Sequence, residues 1–563
     1  MNLNTTIDVE KNSLREVGSG LPQADAFHAG LAERWLHDHL QAIALAVTTA
    51  GFVARIVAAN RSYFNPDEVL HYFMINEPSL LLAYKASLTN AHPPLLYLLL
   101  YLCHFAGHSD LALRLPSVLA GTAFCWFIFK WIQPLFGGPA SLIALFVAAF
   151  SPTLIALSAE VREYALLLFC MAAALYFLER AFAEKSVSTM WRFSLFLYLA
   201  ILSHYSAAFF VLTMGVYALA TIADSECPRK IVSAWAMGQT GALAIYLFLY
   251  VTHISKIRNN LGVWATSFGI TFFKFNQEGI FHFTGQNTWN IFQYMFPQRY
   301  VAAAVLTCFI AGVAFLFFRD FVFTSRKQVS RHIGIQLLVP FAAVWAAAIA
   351  GTYPFVASRH TIVLAPFAIA AASFVFAAIC RQRLWAGLLV ATLLMAVSNL
   401  YGITSEPGIS KANQKRELMT DAVSYVHESI PKGDLILTDQ ESGLSLAYYY
   451  CGVEEPSFMS WSRAIFDQFS CQGHLIVPLA FWYLRPEGLA APFEKVVGTH
   501  GLKPGDRVWI FQAGWGGNLI AQLPQQLAQF HCVTPRTFGQ NITIVPLMVG
   551  SDLSPAPQAK CLN

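Results

Sequence analysis

Charge is scarce in this sequence. Only 12% of its 563 residues are Asp, Glu, Lys or Arg, against about 25% in soluble globular chains. The formal net charge is +4 and no basic run occurs, so electrostatic tracking of a nucleic-acid backbone is excluded and no nucleic-acid partner is expected. Zinc-type cysteine spacing and a glycine-rich phosphate loop are both missing. The first 38 residues are polar, with no short apolar core behind a basic start, so no cleavable signal peptide is expected. They read as a disordered or loosely helical cytoplasmic tail.

What replaces charge is apolar length. Apolar residues make up 56% of the chain, and a helix needs about 20 of them to cross a bilayer. Runs near that length lie at 39–59, 112–132, 139–158, 164–183, 190–203, 206–223, 231–252, 299–318, 333–351, 360–379 and 384–402. The pair 190–203 and 206–223 is short and can form one bent unit around Ser203-His204-Tyr205. The stretch 92–107 is shorter than a crossing and begins with two prolines, Pro93 and Pro94.

Lys and Arg collect in cytoplasmic loops. The clusters Arg180/Lys185/Arg192, Arg229/Lys230, Arg319/Arg326/Lys327/Arg331 and Arg381/Arg383 fall on one side, with Lys130, if 92–107 does not cross. The expected class is therefore a multi-pass α-helical membrane protein of about eleven crossings, with residues 39–403 as its membrane domain. Its N-terminus lies inside and its C-terminus outside, and the first outer loop is 60–111. The aromatic segment 253–298 is expected at the membrane interface.

Past Tyr401 charges and turn residues return, and 411–563 reads as a soluble α/β domain outside the membrane. Helices are expected at Ala422–Ser429, Ser442–Tyr450 and Leu519–Phe530, and strands at Leu435–Thr438, His474–Leu479 and Arg507–Phe511. This alternation predicts a small, mostly parallel sheet. Of the ten cysteines, Cys103, Cys125, Cys170, Cys308 and Cys380 sit in apolar runs, where packing explains them. Cys451, Cys471, Cys532 and Cys561 can form disulfides if the tail is extracytoplasmic, but their pairing is not readable.

The chemistry-bearing residues gather in the predicted outer loops. Asp67 and Glu68 follow Pro66 and are the candidate catalytic carboxylates. Either one accepts a proton from an attacking hydroxyl, or the pair merely favours a helix N-terminus capped by Asn65. Arg114, Arg162 and Arg359 stand at the same ends of three different runs, and guanidinium groups bind phosphate bidentately. His92, ahead of Pro93-Pro94, is a candidate phosphate or metal contact, or simply the start of a rigid turn. Lys85 is a candidate phosphate contact or a snorkelling interfacial lysine. Glu163, Tyr164, His204, Tyr205 and His360 are candidates to line the same cavity.

In order, the chain carries Pro-Asp-Glu, His-Pro-Pro-Leu, Gly-His-Ser-Asp-Leu-Ala-Leu-Arg-Leu-Pro-Ser, a run ending Leu-Phe-Gly, a run ending Ser-Pro, and Arg-Glu-Tyr-Ala-Leu. This order resembles the GT-C fold glycosyltransferases of the protein O-mannosyltransferase and lipid A aminoarabinose transferase type, glycosyltransferase family 39-like. The late Ser-Arg-His-Thr-Ile-Val-Leu-Ala-Pro resembles that family's Arg-aromatic-hydrophobic-Pro helix. The resemblance covers about residues 40–400 and is strongest over 60–170.

It implies a polyprenyl-phosphate sugar donor and an extracytoplasmic lipid, glycan or protein acceptor. It also implies inversion at the anomeric carbon, in a plasma (bacterial inner) membrane enzyme surrounded by membrane lipids. By the same resemblance Asp67 matches the base or acceptor-positioning aspartate and Glu68 its acidic neighbour. His92 matches the residue before the paired prolines, and Arg114 and Arg162 match motif arginines. Where several relatives carry an aspartate this chain has Tyr164, with Glu163 beside it. No cofactor is established, and a divalent metal stays open. A transporter or lipid flippase, and a non-catalytic assembly scaffold, are the competing classes.

Overall fold

The structure, a computed structural model, describes residues 23–105, 107, 109–256, 272–275, 277–322, 327–381, 383–400, 415–452, 468–479, 490–513, 519–520, 530–532 and 534–549. Among these, eight helices are long and apolar enough to cross a membrane, which makes the chain an integral membrane protein. The two shorter apolar helices are Val187–Ser203 and Leu384–Ser398.

Among the described residues, the apolar runs named above fall largely on helices. Helices α1 (Gln23–Asp38), α2 (Leu40–Arg61), α3 (Pro66–Ile75), α4 (Leu80–Ser87) and α5 (Leu95–His104) open the chain. Helix α6 (Asp110–Phe150) holds the run 112–132 and the first part of 139–158, and breaks at Gly137, whose φ of 87° suits a residue without Cβ. Helices α7 (Pro152–Ser158), α8 (Tyr164–Glu184), α9 (Val187–Ser203), α10 (Ala207–Asp224) and α11 (Arg229–Leu249) follow, and α11 ends in a π-helical turn, Tyr250–Ile254. The expected bend between 190–203 and 206–223 is the turn separating α9 from α10. Helix α5 has 10 residues, about 15 Å of rise, half of what a crossing needs.

Two features go beyond the sequence reading. Glu33 of α1 accepts the backbone N–H of Leu384 at 2.6 Å, so this part of the tail is helical and docked on the bundle. The second is a charge inside the bundle. Arg55 is fully buried in α2 and donates to the carbonyls of Gly51, Ala148 and Ala149 at 2.8–3.0 Å. The last two are unpaired carbonyls at the end of α6, a place that favours a cation. The packing around it is close: a Cβ on Gly121 would lie 2.2 Å from Ser158 Oγ.

The tail carries a seven-stranded sheet: β1 (Leu435–Asp439), β2 (Phe469–Cys471), β3 (His474–Leu479), β4 (Arg507–Ala513), β5 (Phe530–Cys532), β6 (Arg536–Phe538) and β7 (Ile542–Val549). It is mixed, not mostly parallel. Only β3–β1 and β1–β4 are parallel. β7 pairs antiparallel with β4, β5 and β6, and no strand was expected there. Residues 521–529 of the expected helix 519–530 lie outside the described residues, and Phe530 opens β5.

Strand alternation sends side chains to opposite faces. Leu435 and Leu437 pack with Phe493 and Val496 of the helix Ala490–His500. Ile436 faces the other way, with Met419 and Leu446 of the helices Arg416–Ser429 and Gln440–Tyr449. That second core continues into Tyr63, Phe64, Val69 and Tyr72 of the first loop, so the sheet and the loop share one apolar interior. A bridge pairs Ser62 with Lys415, and Cys451 is disulfide-bonded to Cys471.

Candidate functional site

The site starts from a local sequence signal. Asn65 caps α3, accepting the Glu68 N–H at 3.0 Å, while Glu68 Oε2 accepts the Asn65 N–H at 3.1 Å. With Pro66 at the first position, this reciprocal box sets the direction of the helix. It also parts the two acids: Glu68 turns into the protein and Asp67 stays at the rim.

Glu68 and Arg114 are both fully buried. Arg114 gives Nε and Nη2 to the two Glu68 oxygens at 2.7 Å each. Its remaining donors go to the carbonyls of Ala59, Ser62 and Tyr63 at 2.6–2.9 Å. Glu68 Oε1 further accepts the Val161 N–H at 2.8 Å. Every guanidinium N–H is used. This corrects two expectations: Arg114 has no donor left for a phosphate, and Glu68 has no free edge for an incoming hydroxyl. The pair ties the ends of α2, α3 and α6 to the loop before α8.

Asp67 has a different setting. Its Oδ2 lies 2.8 Å from Arg359 Nη1 and 3.1 Å from Arg162 Nη1. The Asp67 side chain is 23% exposed and that of Arg359 33%, whereas Arg162 is buried. Burial alone would raise the proton affinity of Asp67. The two guanidinium charges outweigh it and hold the carboxyl well below the usual carboxylate range.

Behind this triad lies a buried imidazole cluster centred on Glu163, the residue before α8. His92 Nδ1 is 3.2 Å from Glu163 Oε1 and His71 Nε2 is 3.7 Å from Oε2. Arg162 Nη2 is 4.0 Å away. The ring of His204 sits 5.5 Å from that of His92, 5.3 Å from Tyr164 and 6.2 Å from His360. Burial pushes Glu163 up, but the imidazole of His92 and the guanidinium of Arg162 hold its carboxyl well below the ordinary value. Burial brings His204 down to about 4, so it is neutral at physiological pH. Among the described residues, His92, Glu163 and His204 are the group whose candidate ligand atoms lie within 4.8 Å of one another, although His204 Nδ1 already accepts the Ser206 N–H at 3.1 Å.

Of the residues named from sequence, Asp67, Arg162, Arg359, His92, Glu163, Tyr164, His204 and His360 come together. Lys85 does not join them: it is exposed on α4 and makes no ion pair among the described residues. Tyr205 sits one layer out, its hydroxyl 2.5 Å from His253 Nδ1. His253 Nε2 in turn meets the Asn90 carbonyl at 2.6 Å. A carbonyl only accepts, so Nε2 carries the proton and Tyr205 donates to Nδ1.

His253 and His71 were missed. His71 had a readable signal, since it lies one helical turn after Asp67 on the same face. Its Nδ1 donates to the Asp67 carbonyl at 2.5 Å. His253 had none beyond its place at the end of a run.

Residues 91–254 match the family model of dolichyl-phosphate-mannose-protein mannosyltransferases. The matched segment includes His92, Arg162, Glu163, His204 and His253 and leaves out Asp67 and Arg359. No curated protein matches the chain by sequence. Among solved structures, ArnT from Cupriavidus metallidurans bound to undecaprenyl phosphate is 13% identical, with a TM-score of 0.49 over 92% of this chain and 98% of its own. The Archaeoglobus fulgidus oligosaccharyltransferase AglB, in complex with an inhibitory peptide and a dolichol-phosphate, is 11% identical, with a TM-score of 0.46 over 93% of this chain and 76% of its own.

Proposed function

We propose that the chain is an inverting membrane glycosyltransferase that moves a sugar from a polyprenyl-phosphate donor to a lipid, polysaccharide or protein acceptor at the outer membrane face. The observation that carries this is the Asp67 carboxylate set between Arg162 and Arg359 at the rim of an apolar bundle. The matched family's name specifies a sugar carried on a lipid phosphate, and a donor of that kind presents a phosphate to the rim from the lipid.

In the mechanism, Arg162 and Arg359 hold the donor phosphate and neutralise the charge that grows on it as the glycosidic bond breaks. As they turn to phosphate, Asp67 loses their grip and regains affinity for a proton. It then takes the acceptor's hydroxyl proton while that oxygen attacks the anomeric carbon from the opposite face. Glu68 and Arg114 serve as the rigid base on which Asp67 is aimed.

The orientation follows the same reading. The tail domain packs on the loop 60–111, so both occupy one side. A disulfide between Cys451 and Cys471 suits an oxidising compartment. The extracytoplasmic side of a plasma membrane, with the N-terminus in the cytoplasm and about eleven crossings, satisfies both. The tail domain (411–563) acts as a brace for the Asp67 loop.

Purified protein in lipid vesicles, given a panel of radiolabelled polyprenyl-phosphate sugars, tests this. One donor is expected to be consumed, and Asp67→Asn to stop it. Near-normal turnover by that variant would remove Asp67 from the chemistry. A flippase would move the lipid without consuming it, and a scaffold would do neither.

A further inference from the structure

We infer that Glu179 of α8, Tyr217 of α10 and Gln336 of the helix Lys327–Ile349 form a site for one monovalent cation of the sodium class, at the end of the bundle opposite Asp67. The inference does not rest on the transferase reading. Glu179 lies about 22 Å of helical rise past Tyr164, away from the rim and its imidazoles.

The first observation is a carboxyl group without a counter-charge. Glu179 Oε2 accepts the Tyr217 hydroxyl at 2.8 Å, and Oε1 accepts Gln336 Nε2 at 3.1 Å. Both partners are neutral, and they are the groups that act on this carboxyl. Arg180, the next residue, is exposed and turns to Glu184 and Tyr176. His332, one turn before Gln336, pairs with Asp224 at 2.9 Å. A carboxylate within a membrane bundle is costly unless an opposite charge joins it, and such residues commonly mark ion sites or pathways.

The second observation is an oxygen with nothing to accept. Gln336 is fully buried, and its Oε1 has no hydrogen-bond partner, although its Nε2 is held on Glu179. A proton on Glu179 does not repair this. It leaves Oε1 unpaired as the amide stands, and Nε2 unpaired if the amide is reversed. A cation between the amide oxygen and the carboxylate satisfies both groups. The Tyr217 oxygen, its proton given to Glu179, keeps lone pairs for the same ion.

The donor set selects the class of ion. Its atoms are all oxygen, which suits a hard cation and not a zinc-type ion with its preference for nitrogen and sulfur. A single carboxylate balances a single positive charge, whereas calcium and magnesium draw on several carboxylates or on phosphate. A polar route leads in from the surface. Tyr217, Thr221 and Asp224 follow one another at helical spacing along one face of α10, as His332 and Gln336 do on the facing helix. The Asp224 side chain is 51% exposed, so this file runs from solvent to Glu179.

The test uses the full chain in detergent at fixed ionic strength, with NaCl exchanged for N-methyl-D-glucamine chloride. The wild-type Tm is expected to rise by about 2–4 °C with Na⁺ along a saturating curve, and ²²Na⁺ to bind at about one equivalent. Glu179→Gln and Gln336→Leu are each expected to lose the Tm response and at least tenfold of the bound ion. Asp67→Asn is expected to keep both, which separates this site from the carboxylates at the rim. Because a variant can fail to fold, the wild type alone also decides. The same Tm in both salts, binding of less than a tenth of an equivalent of ²²Na⁺, or a full response in a folded Glu179→Gln protein would each overturn the site.

Discussion

Asp67 and Arg359 meet at 2.8 Å, although one opens a helix in the first loop and the other begins a turn near the end of the membrane bundle. Arg162 completes the contact at 3.1 Å. The two arginines do not stand equally: Arg359 is one-third exposed and Arg162 is buried.

Arg359→Ala is expected to raise the donor KM by about 10- to 100-fold, as loss of one or two charge-assisted hydrogen bonds to phosphate does, with a smaller change in kcat. Arg162→Ala is expected to lower kcat as well, since it also removes a neighbour of Glu163. Initial-rate kinetics at varied donor concentration separate the two. Equal effects on KM alone would argue against the division.

The pairing of Asp67 sets a pH signature. Its folded proton affinity is depressed, so the stabilisation it contributes is present above the unfolded carboxylate pKa and disappears as pH falls through the folded value. The Tm gap between wild type and Asp67→Asn is therefore expected to be constant from about pH 8 to 5 and to close only below about pH 4. Thermal melts in detergent check this. A gap closing near neutrality would mean that the pair is not formed.

Glu68 and Arg114 behave as one unit. Breaking a buried pair from one side strands the other charge and costs about 3–5 kcal/mol. Glu68→Ala and Arg114→Ala are each expected to lower Tm sharply, whereas Glu68→Leu combined with Arg114→Met costs less than the sum of the singles. Additive losses in the double-mutant cycle would show that the two side chains are not coupled.

His253 holds the Asn90 carbonyl two residues before His92. His253→Gln, which keeps a donor, is expected to retain most activity. His253→Phe is expected to lose about tenfold in kcat/KM, near 1.4 kcal/mol, with little change in Tm. Equal activity of the two variants in a vesicle assay would leave the residue without a positioning role.

The tail is fastened to the loop through Asp110, which accepts from Arg416, Tyr448 and Tyr449 at 2.5–3.1 Å. The Tyr449 hydroxyl also accepts the Phe64 N–H at 2.5 Å, a few residues from Asp67. Tyr449→Phe is expected to leave that N–H unpaired, cost about 1–3 kcal/mol and lower turnover without touching the donor. Hydrogen exchange at Phe64, faster in the variant, reads the contact directly. Unchanged exchange and turnover would make the tail dispensable to the loop.

The sequence by itself determined whatever depends on near neighbours. Apolar run length marked the membrane helices, and the Asn65–Pro66–Glu68 spacing marked a helix start, because caps and periodicity act over a few residues. Short apolar runs marked β1, β3 and β4, while the antiparallel half of the sheet, built on β7, carried no turn or period distinctive enough to read. Only the tertiary structure decided which arginine meets which acid. Arg114 and Arg162 look alike as interfacial guanidiniums, yet packing buries one against Glu68 and leaves the other on Asp67. Partners joined by helix packing across the bundle leave no mark in local spacing, because what pairs them is the arrangement of helices and not the distance along the chain.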